Sequence, residues 1–448
     1  MQHAHLSMSN VYTIRRGKDI QLEGVPANQV LGTAIGSTVA VKPNDFKGIK
    51  PKLEVKSGDE VKAGDVLFHD KNRPEIKFTS PVSGEVAEIV RGDRRAILEI
   101  RVLADKEIKH KAFDTNADIK SLLLESGLWV GITQRPYGTI ANPEDRPKAI
   151  HISTFDSAPL AQDNYFIAEG EEANFAKGVE ALKKLTDGDV HLNHKHGSTN
   201  AGFTSVANAV HNEFKGPHPA GLPGIQIHHI DAINKGEVVW TLTVQTVIYI
   251  GRLLNGGKVD MRKRVALSGS EITESGYVET ISGTAINALI DGRTTSGNNR
   301  IISGNVLTGE NIGANGYLGF FDNVVTVIPE GDQYEFMGWL IPTYPRPTIS
   351  NSFPIFKYLK KRFKVNTNLH GEERAFVVTG QYEKVLPMDI MPVQLLKAIL
   401  AQDLEAMENL GIYEVIEEDL ALCEFVCTSK INVQNIVRDG LTLMESEG

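Results

Sequence analysis

Cysteine is nearly missing. The 448 residues contain two, Cys423 and Cys427, which excludes a disulfide scaffold and fits a reducing compartment. Aromatic residues make up only 7 % of the chain, and no run approaches the ~20 continuous apolar residues of a membrane-spanning helix. The longest apolar stretch, "VVWTLTVQTVIYIG" (238–251), is too short, carries Thr and Gln, and reads as buried strands. An integral membrane protein is excluded, a peripheral one is not. The amino terminus "MQHAHLSMSN" has no basic stretch followed by an apolar core, so it does not read as a signal peptide, and Met8 reads as the start. A basic excess is lacking too: 47 Lys and Arg face 56 Asp and Glu, a net charge of −9, which argues against a nucleic-acid partner. There is no G-x-G-x-x-G dinucleotide turn, no G-x-x-x-x-G-K-[ST] phosphate loop and no G-x-S-x-G nucleophile elbow.

What is present is a chain long enough for about two to four domains, rich in glycine (41 residues). Residues 11–48 read as an N-terminal β segment. Residues 49–105 alternate apolar and polar side chains and turn at Gly58-Asp59, Gly64-Asp65 and Ser83-Gly84. Their "V-x-x-G-D-x-V-x-x-G-D" and "S-P-V-S-G-x-V" pieces resemble the barrel-sandwich fold of lipoyl and biotinyl domains. Residues 106–255 read as a Rossmann-like α/β domain. Its helices fall at 118–127, with Asp at the start and Gly127 at the end, and at 170–186; its strands fall at 148–154, 188–194 and 224–230. Residues 256–350 return to strands and resemble a ligand-binding β-grasp (SLBB-like) module. Residues 351–448 read as a helical domain, with helices over "FPIFKYLKKRF" (353–363), from Pro392 to Gly411, and over 413–427. The expected architecture is multidomain, α/β and β, with a helical end.

Two clusters invite chemistry. Seven of thirteen histidines lie between 191 and 229. On a strand, His194 and His196 share a face and His191 points away, so packing outweighs a metal site. The basic run "KVDMRKRV" (258–265) reads as a solvated face, or else as a docking patch for a partner or for anionic lipid.

Several long blocks point to one family: "RRGKDIQLEGVP" (15–26), the barrel-sandwich stretch, "HPAGLPGIQIHHIDAI" (218–233), "VWTLTVQTVIYIG" (239–251) and "GEERAFVVTGQYEKVLPMDIMP" (371–392). Over nearly its whole length the chain resembles the A subunits of the bacterial sodium-pumping NADH:quinone oxidoreductase, relatives of the C subunit of the ferredoxin-linked sister pump and, more remotely, of the flavin-binding subunit of respiratory complex I. In those relatives a glycine-rich loop after an E-S/A-G start cradles flavin and nucleotide phosphate. Here "ESGLWVGITQRPYGTIAN" (125–142) keeps Glu125, Ser126 and Gly127, but Ile132, Thr133, Gln134 and Arg135 replace the glycines, which implies loss of flavin and NADH binding. The sister subunit's ferredoxin-like cysteine motif, laid over the carboxyl end, matches Cys423 and Cys427. Glu417 and Leu420 stand in place of its first two ligands. The resemblance implies a vestigial pair without metal.

The family implies a peripheral subunit on the cytoplasmic face of the bacterial inner membrane. It carries no cofactor and no catalytic residue of its own. It docks on an integral flavin-carrying B subunit of a six-subunit pump whose other subunits hold FAD, FMN, riboflavin and a 2Fe-2S centre. Quinone is the expected ligand, with Trp129, Gln134, Arg135, Tyr137, Thr33 and Thr38 as candidate residues near it. Two alternatives remain: a purely structural or regulatory subunit, and an unrelated lipoyl-like carrier modified at Lys71 or Lys77.

Overall fold

The computed structural model describes residues 10–333, 335–338, 346–347, 362–376 and 380–448. Among these, four sheets organise the chain. A three-stranded sheet (Pro51–Leu53, Val66–Asp70, Lys77–Thr79) and a four-stranded sheet (Thr38–Val41, Ile97–Ala104, Gly84–Arg91, Glu60–Val61) form the barrel sandwich around Leu67, Phe68, Phe78, Val86 and Ile100. Its turns need their glycines: Gly58 and Gly64 have φ of 91° and 96°, a region costly for other residues.

A seven-stranded sheet runs in the order Asn10–Thr13, Val210–Lys215, Asp189–Lys195, Ala149–Ser153, Val239–Leu242, Thr133–Arg135, Thr139–Ile140. The first five strands are parallel, Thr133–Arg135 runs against them, and Thr139–Ile140 pairs antiparallel to it. A six-stranded mixed sheet holds Val324–Pro329 and Arg262–Ser268 at its middle, with Gly276–Ile281 next and Val30–Thr33 at one edge. The strands of the N-terminal segment thus go to three different sheets.

The helix Ile119–Ser126 forms where its caps dictate. Asp118 accepts the Ser121 N–H, and Gly127 ends the helix in the left-handed conformation at φ 76°. The helices Glu172–Leu182 and Val244–Gly256 cover one face of the seven-stranded sheet. They meet at glycines: a Cβ on Gly178 would overlap the Val247 carbonyl, and one on Gly251 the Asn174 carbonyl.

Several elements differ from the sequence reading. Residues 224–230 are not a strand but part of the helix Pro223–Asp231. Proline opens it, and Gly224 to Ile227 are all buried, which erases the one-sided pattern that marks a surface helix. The stretch 238–251 is only half strand: Val239–Leu242 is followed by the helix Val244–Gly256, capped by Thr243. A short run buried on every side does not reveal its period. The helix expected from Pro392 to Gly411 is two, Pro392–Leu400 and Leu404–Asn409, broken at Gln402 (φ 55°) and restarted by the Asp403 cap. Ile412–Glu414 and Glu417–Leu420 are 3-10 turns, and only Ala421–Val426 is α-helical before Cys427. The helix expected over 353–363 lies outside the described residues except for Arg362 and Phe363, and Phe363 bridges to Leu22.

Candidate functional site

The seven-stranded sheet reverses its strand order once. From Ala149–Ser153 the chain steps to Asp189–Lys195 and Val210–Lys215 on one side, then returns to Val239–Leu242 on the other. Open α/β sheets bind ligands in the crevice beyond the carboxyl ends of the strands at such a point. A cavity of about 440 Å³ lies there. Ser153, Phe155 and Asp156 line it from one strand end, and Thr241, Thr243 and Val244 from the other. Asp45, Phe46 and Lys47 form a second wall, Phe321 and Asn323 a third. Ile416, Glu417, Glu418 and Gln434 of the helical domain close it. The site exists only because these parts of the chain meet.

Part of the candidate stretch 129–137 backs this cavity. Val130, Gly131 and Thr133 line it, as do Gly138 and Thr139. Trp129 is fully buried, donates its indole N–H to the Ala141 carbonyl at 2.8 Å and stands edge-on to Trp240. Gln134 faces away from Thr133, donates to Asp145 at 2.9 Å and accepts from the Trp240 indole and the Asn142 N–H. Tyr137 lies edge-on to Tyr413 of the helical domain. Thr33 and Thr38 lie elsewhere. The Thr33 hydroxyl reaches Glu279 at the rim of a separate groove, and that of Thr38 bonds the Tyr317 hydroxyl at 3.0 Å.

Arg135 is buried to 1 % exposure and binds across the domain boundary, to Asp419 at 2.6 Å and Glu418 at 2.9 Å. Nearby, Glu417 pairs with both Lys47 and Arg438. These acids occupy the stretch "EEDL" (417–420). Burial raises the Glu418 carboxyl pKa; Asp419 and Asp156 add to the rise, and Arg135 and Lys47 oppose it. Burial also raises Asp156, which accepts the Ala158 N–H at 2.8 Å. The Lys47 ammonium is brought down to about 8, mainly by burial and by Arg438. Sequence reasoning missed Lys47, Asp156 and Glu418. The acidic run beside Cys423 was their one visible signal.

The histidines pack in pairs: His151 on His191 at 4.5 Å, and His194 on His211 at 5.1 Å, the latter joined by a 2.8 Å nitrogen–nitrogen hydrogen bond. Burial lowers His151 well below its usual value and holds His194 and His218 at about 4. Asn193 and Gln226 extend this buried polar layer to Ser153 at the cavity. No group of three or more metal-ligating side chains gathers among the described residues. Cys423 and Cys427 are buried free thiols, and Cys427 accepts the Tyr382 hydroxyl at 2.9 Å. Within the basic run, Arg262 binds Asp260, Lys263 is buried on the Phe320 and Asp322 carbonyls, and Arg264 binds Glu279. Lys71 is exposed just past the end of the strand Val66–Asp70, and Lys77 is partly buried at the start of the next. No helix among the described residues is long and apolar enough to cross a membrane.

Comparison with known proteins finds likeness over nearly the whole chain. Family models match residues 12–105 as the NqrA N-terminal barrel-sandwich hybrid domain, 114–259 as the NqrA second alpha/beta domain, and 264–313 as the NQRA C-terminal domain. The A subunit of the Na(+)-translocating NADH-quinone reductase of Serratia proteamaculans (strain 568) is 39 % identical, covering 97 % of this chain and 99 % of its own. Its namesake from Rhodopirellula baltica is 37 % identical over 98 % and 99 %. A chain of a solved NAD+-reducing [NiFe]-hydrogenase in the air-oxidized state overlaps 42 % of this chain and 41 % of its own, at 12 % identity and a TM-score of 0.31, too slight a likeness to carry an argument. The chain therefore belongs to the NqrA family, the A subunits of the Na(+)-translocating NADH-quinone reductase.

Proposed function

We propose that this chain is the peripheral A subunit of a sodium pump that couples NADH oxidation and quinone reduction to Na+ export, and that its interdomain cavity holds a quinone head group. Family membership over almost the whole chain carries the first part. The cavity at the sheet's reversal point carries the second. A quinone ring needs an apolar slot with a few hydrogen-bond donors. Phe46, Val130, Leu242 and Phe321 supply the slot, and Thr133, Thr243 and Lys47 bring donors to its rim. The side chains at 132–135 fill the place where a phosphate-cradling loop would lie, so the chain binds and orients while electrons move on other subunits. In this reading the pump has six subunits, with FAD, FMN, riboflavin and a 2Fe-2S centre outside this chain. At the cytoplasmic face of the inner membrane the chain docks on the integral flavin-carrying B subunit. The same reading takes the barrel sandwich as an unmodified lipoyl-like module, the α/β domain as Rossmann-like, and residues 256–350 as β-grasp. Among the candidates drawn from the sequence, Arg135 acts through Glu418 rather than on the ligand, and Trp129, Gln134 and Tyr137 support the wall.

The test is titration of the purified chain with a short-tail ubiquinone, followed by fluorescence and native mass spectrometry. Saturable one-to-one binding, weakened in Thr133→Phe, is the expected outcome. Absence of saturable binding, or binding unchanged in Thr133→Phe, sinks the cavity assignment and leaves the chain without a ligand site of its own.

A further inference from the structure

The strands Gly84–Arg91 and Ile97–Ala104 of the barrel sandwich end in an exposed hairpin tip. Its turn runs from Asp93 to Ala96. The Ala96 N–H donates to the Asp93 carbonyl at 3.0 Å, and the Gly92 N–H to the Ala96 carbonyl at 2.9 Å. Both central residues have positive φ, Arg94 at 53° and Arg95 at 62°. Hairpin turns of this hand take Asn-Gly or Asp-Gly, because a Cβ crowds the following carbonyl there. Arginine has no short polar group to bond its own backbone, so nothing local offsets the strain. Such outliers gather at functional positions. The charge at the tip is uneven as well. Arg91, Arg94 and Arg95 are exposed, and none forms an ion pair among the described residues. Glu88 and Glu99, lower on the same strands, are held by Arg101. Asp93 is the one acid in the tip, so three arginines and one aspartate give residues 91–95 a net charge of +2 in a chain of −9. Behind the arginines lies an apolar shoulder. Ile89 and Ile97 pack toward the barrel core, whereas the half-buried Val90 and Leu98 do not join it. Leu98 lies under Gly92, where a Cβ would come within 3.0 Å of its side chain.

Resting on the peripheral placement proposed above and not on the cavity, we propose that this tip docks on an anionic lipid surface, with Arg91, Arg94 and Arg95 on headgroup phosphates and Val90 and Leu98 beside them. A guanidinium is a planar fork that meets phosphate oxygens two at a time. The Arg91 guanidinium donates to the Arg95 carbonyl at 3.1 Å, which draws it in beside the other two. A hairpin tip is a small contact. A stable protein partner needs about 800 Å² on each side, which a four-residue turn does not offer. A lipid surface instead attracts each basic side chain separately. The tip is drawn to such a surface while the net negative charge of the chain is repelled by it, which turns the tip toward the lipid.

The test is co-sedimentation of the full chain, at low ionic strength, with vesicles of mixed phosphatidylglycerol and phosphatidylcholine and with vesicles of phosphatidylcholine alone. Wild type is expected on the anionic vesicles only, and to leave them as salt is raised. Arg94→Asn combined with Arg95→Gly installs the residues that the turn prefers. Its melting midpoint should rise, while its affinity for the anionic vesicles should fall about 25-fold, at roughly fivefold per arginine. A role confined to the fold would move the melt alone. Arg91→Gln, outside the strained pair, should keep the wild-type melt and lose about fivefold in affinity. Quinone affinity should stay at the wild-type value in both variants. Wild type that ignores anionic vesicles, or that binds neutral ones equally well, overturns the proposal. So does retention unchanged in both variants; where the double variant folds poorly, unchanged retention in Arg91→Gln decides alone. That failure leaves the quinone cavity and the docking on the B subunit standing, since neither uses this tip.

Discussion

Arg135 and Asp419 stand 284 positions apart in the chain, and their side chains meet at 2.6 Å with almost no exposure to solvent. The contact ties the strand Thr133–Arg135, next to the edge of the seven-stranded sheet, to the helical domain. Asp419 also accepts the Ile416 N–H at 2.9 Å, so the same carboxylate shapes the turn that closes the cavity. A buried pair is not by itself a large net stabiliser, because both ions gave up water to form it. Breaking it is costly, because one charge is then left in the interior.

Arg135→Met should therefore destabilise the chain by about 3–5 kcal/mol. The double variant Arg135→Met, Asp419→Leu should recover most of that loss. Urea unfolding of the two singles and the double closes the cycle. A double variant as unstable as the sum of the singles would show that the pair is not a coupled unit.

Gly224 gives this pair its room. A Cβ there would overlap both the Asp419 carboxylate and the Arg135 guanidinium. Gly224→Ala should cost about 1–3 kcal/mol by crowding, although alanine is the better helix former. A thermal melt at or above the wild-type midpoint would contradict the crowding.

What was legible in the sequence was whatever local chemistry decides. Gly58 and Gly64 marked turns that need positive φ, and Asp118 and Gly127 bracketed a helix. What stayed hidden depends on distant partners. The Pro223–Asp231 and Val244–Gly256 helices are wrapped by the fold, so burial on several sides blurred their period. Arg135 was singled out as a charged residue in a loop that lost its glycines. Nothing nearby in sequence pointed to Glu418 and Asp419 as its partners. The cavity itself is assembled from distant segments, and only the fold brings Lys47, Asp156 and Glu418 together.

The close helix pair of the α/β domain gives a second packing prediction. Gly251→Ala puts a methyl group into the Asn174 carbonyl, and neither backbone can yield without parting the helices. A loss of about 3 kcal/mol or more is expected, beyond the usual 1–3 for overpacking. Gly256→Ala, at the exposed end of the same helix, meets only a distant Lys258 carbon and should be neutral or mildly stabilising. Comparable melts for the two variants would contradict the close approach.

Acid should unfold the chain partly through two histidines. His194 and His218, each 2 % exposed, sit at about 4 in the fold, against about 6.5 when unfolded. Between these values the unfolded chain binds more protons. Their stabilising effect is therefore complete above pH ~6.5 and lost as pH falls toward 4. Each can account for up to ~3 kcal/mol. Asp45, raised to about 6 chiefly by burial, acts in the opposite sense over part of this range. The test is thus the difference between proteins: His194→Gln and His218→Gln should each flatten the dependence of the melting midpoint between pH 6.5 and 4. Curves parallel to wild type would mean that these imidazoles do not stay neutral in the fold.

Thr133 and Gln134 separate wall from support. Neighbours on one strand point to opposite faces, and Thr133 lines the cavity while Gln134 serves Asp145, Asn142 and Trp240 behind it. Gln134→Leu leaves buried donors unpaired and should cost about 1–3 kcal/mol of stability. It should leave the affinity for a short-tail ubiquinone near wild type once the chain is folded. Thr133→Val keeps the shape and β-propensity of the residue and should leave the melt unchanged, but it removes a hydroxyl from the cavity and should weaken binding by about threefold to tenfold. The opposite pattern, with binding lost in the folded Gln134→Leu chain and untouched in Thr133→Val, would place the ligand on the far side of the strand, where the structure has packed Trp240.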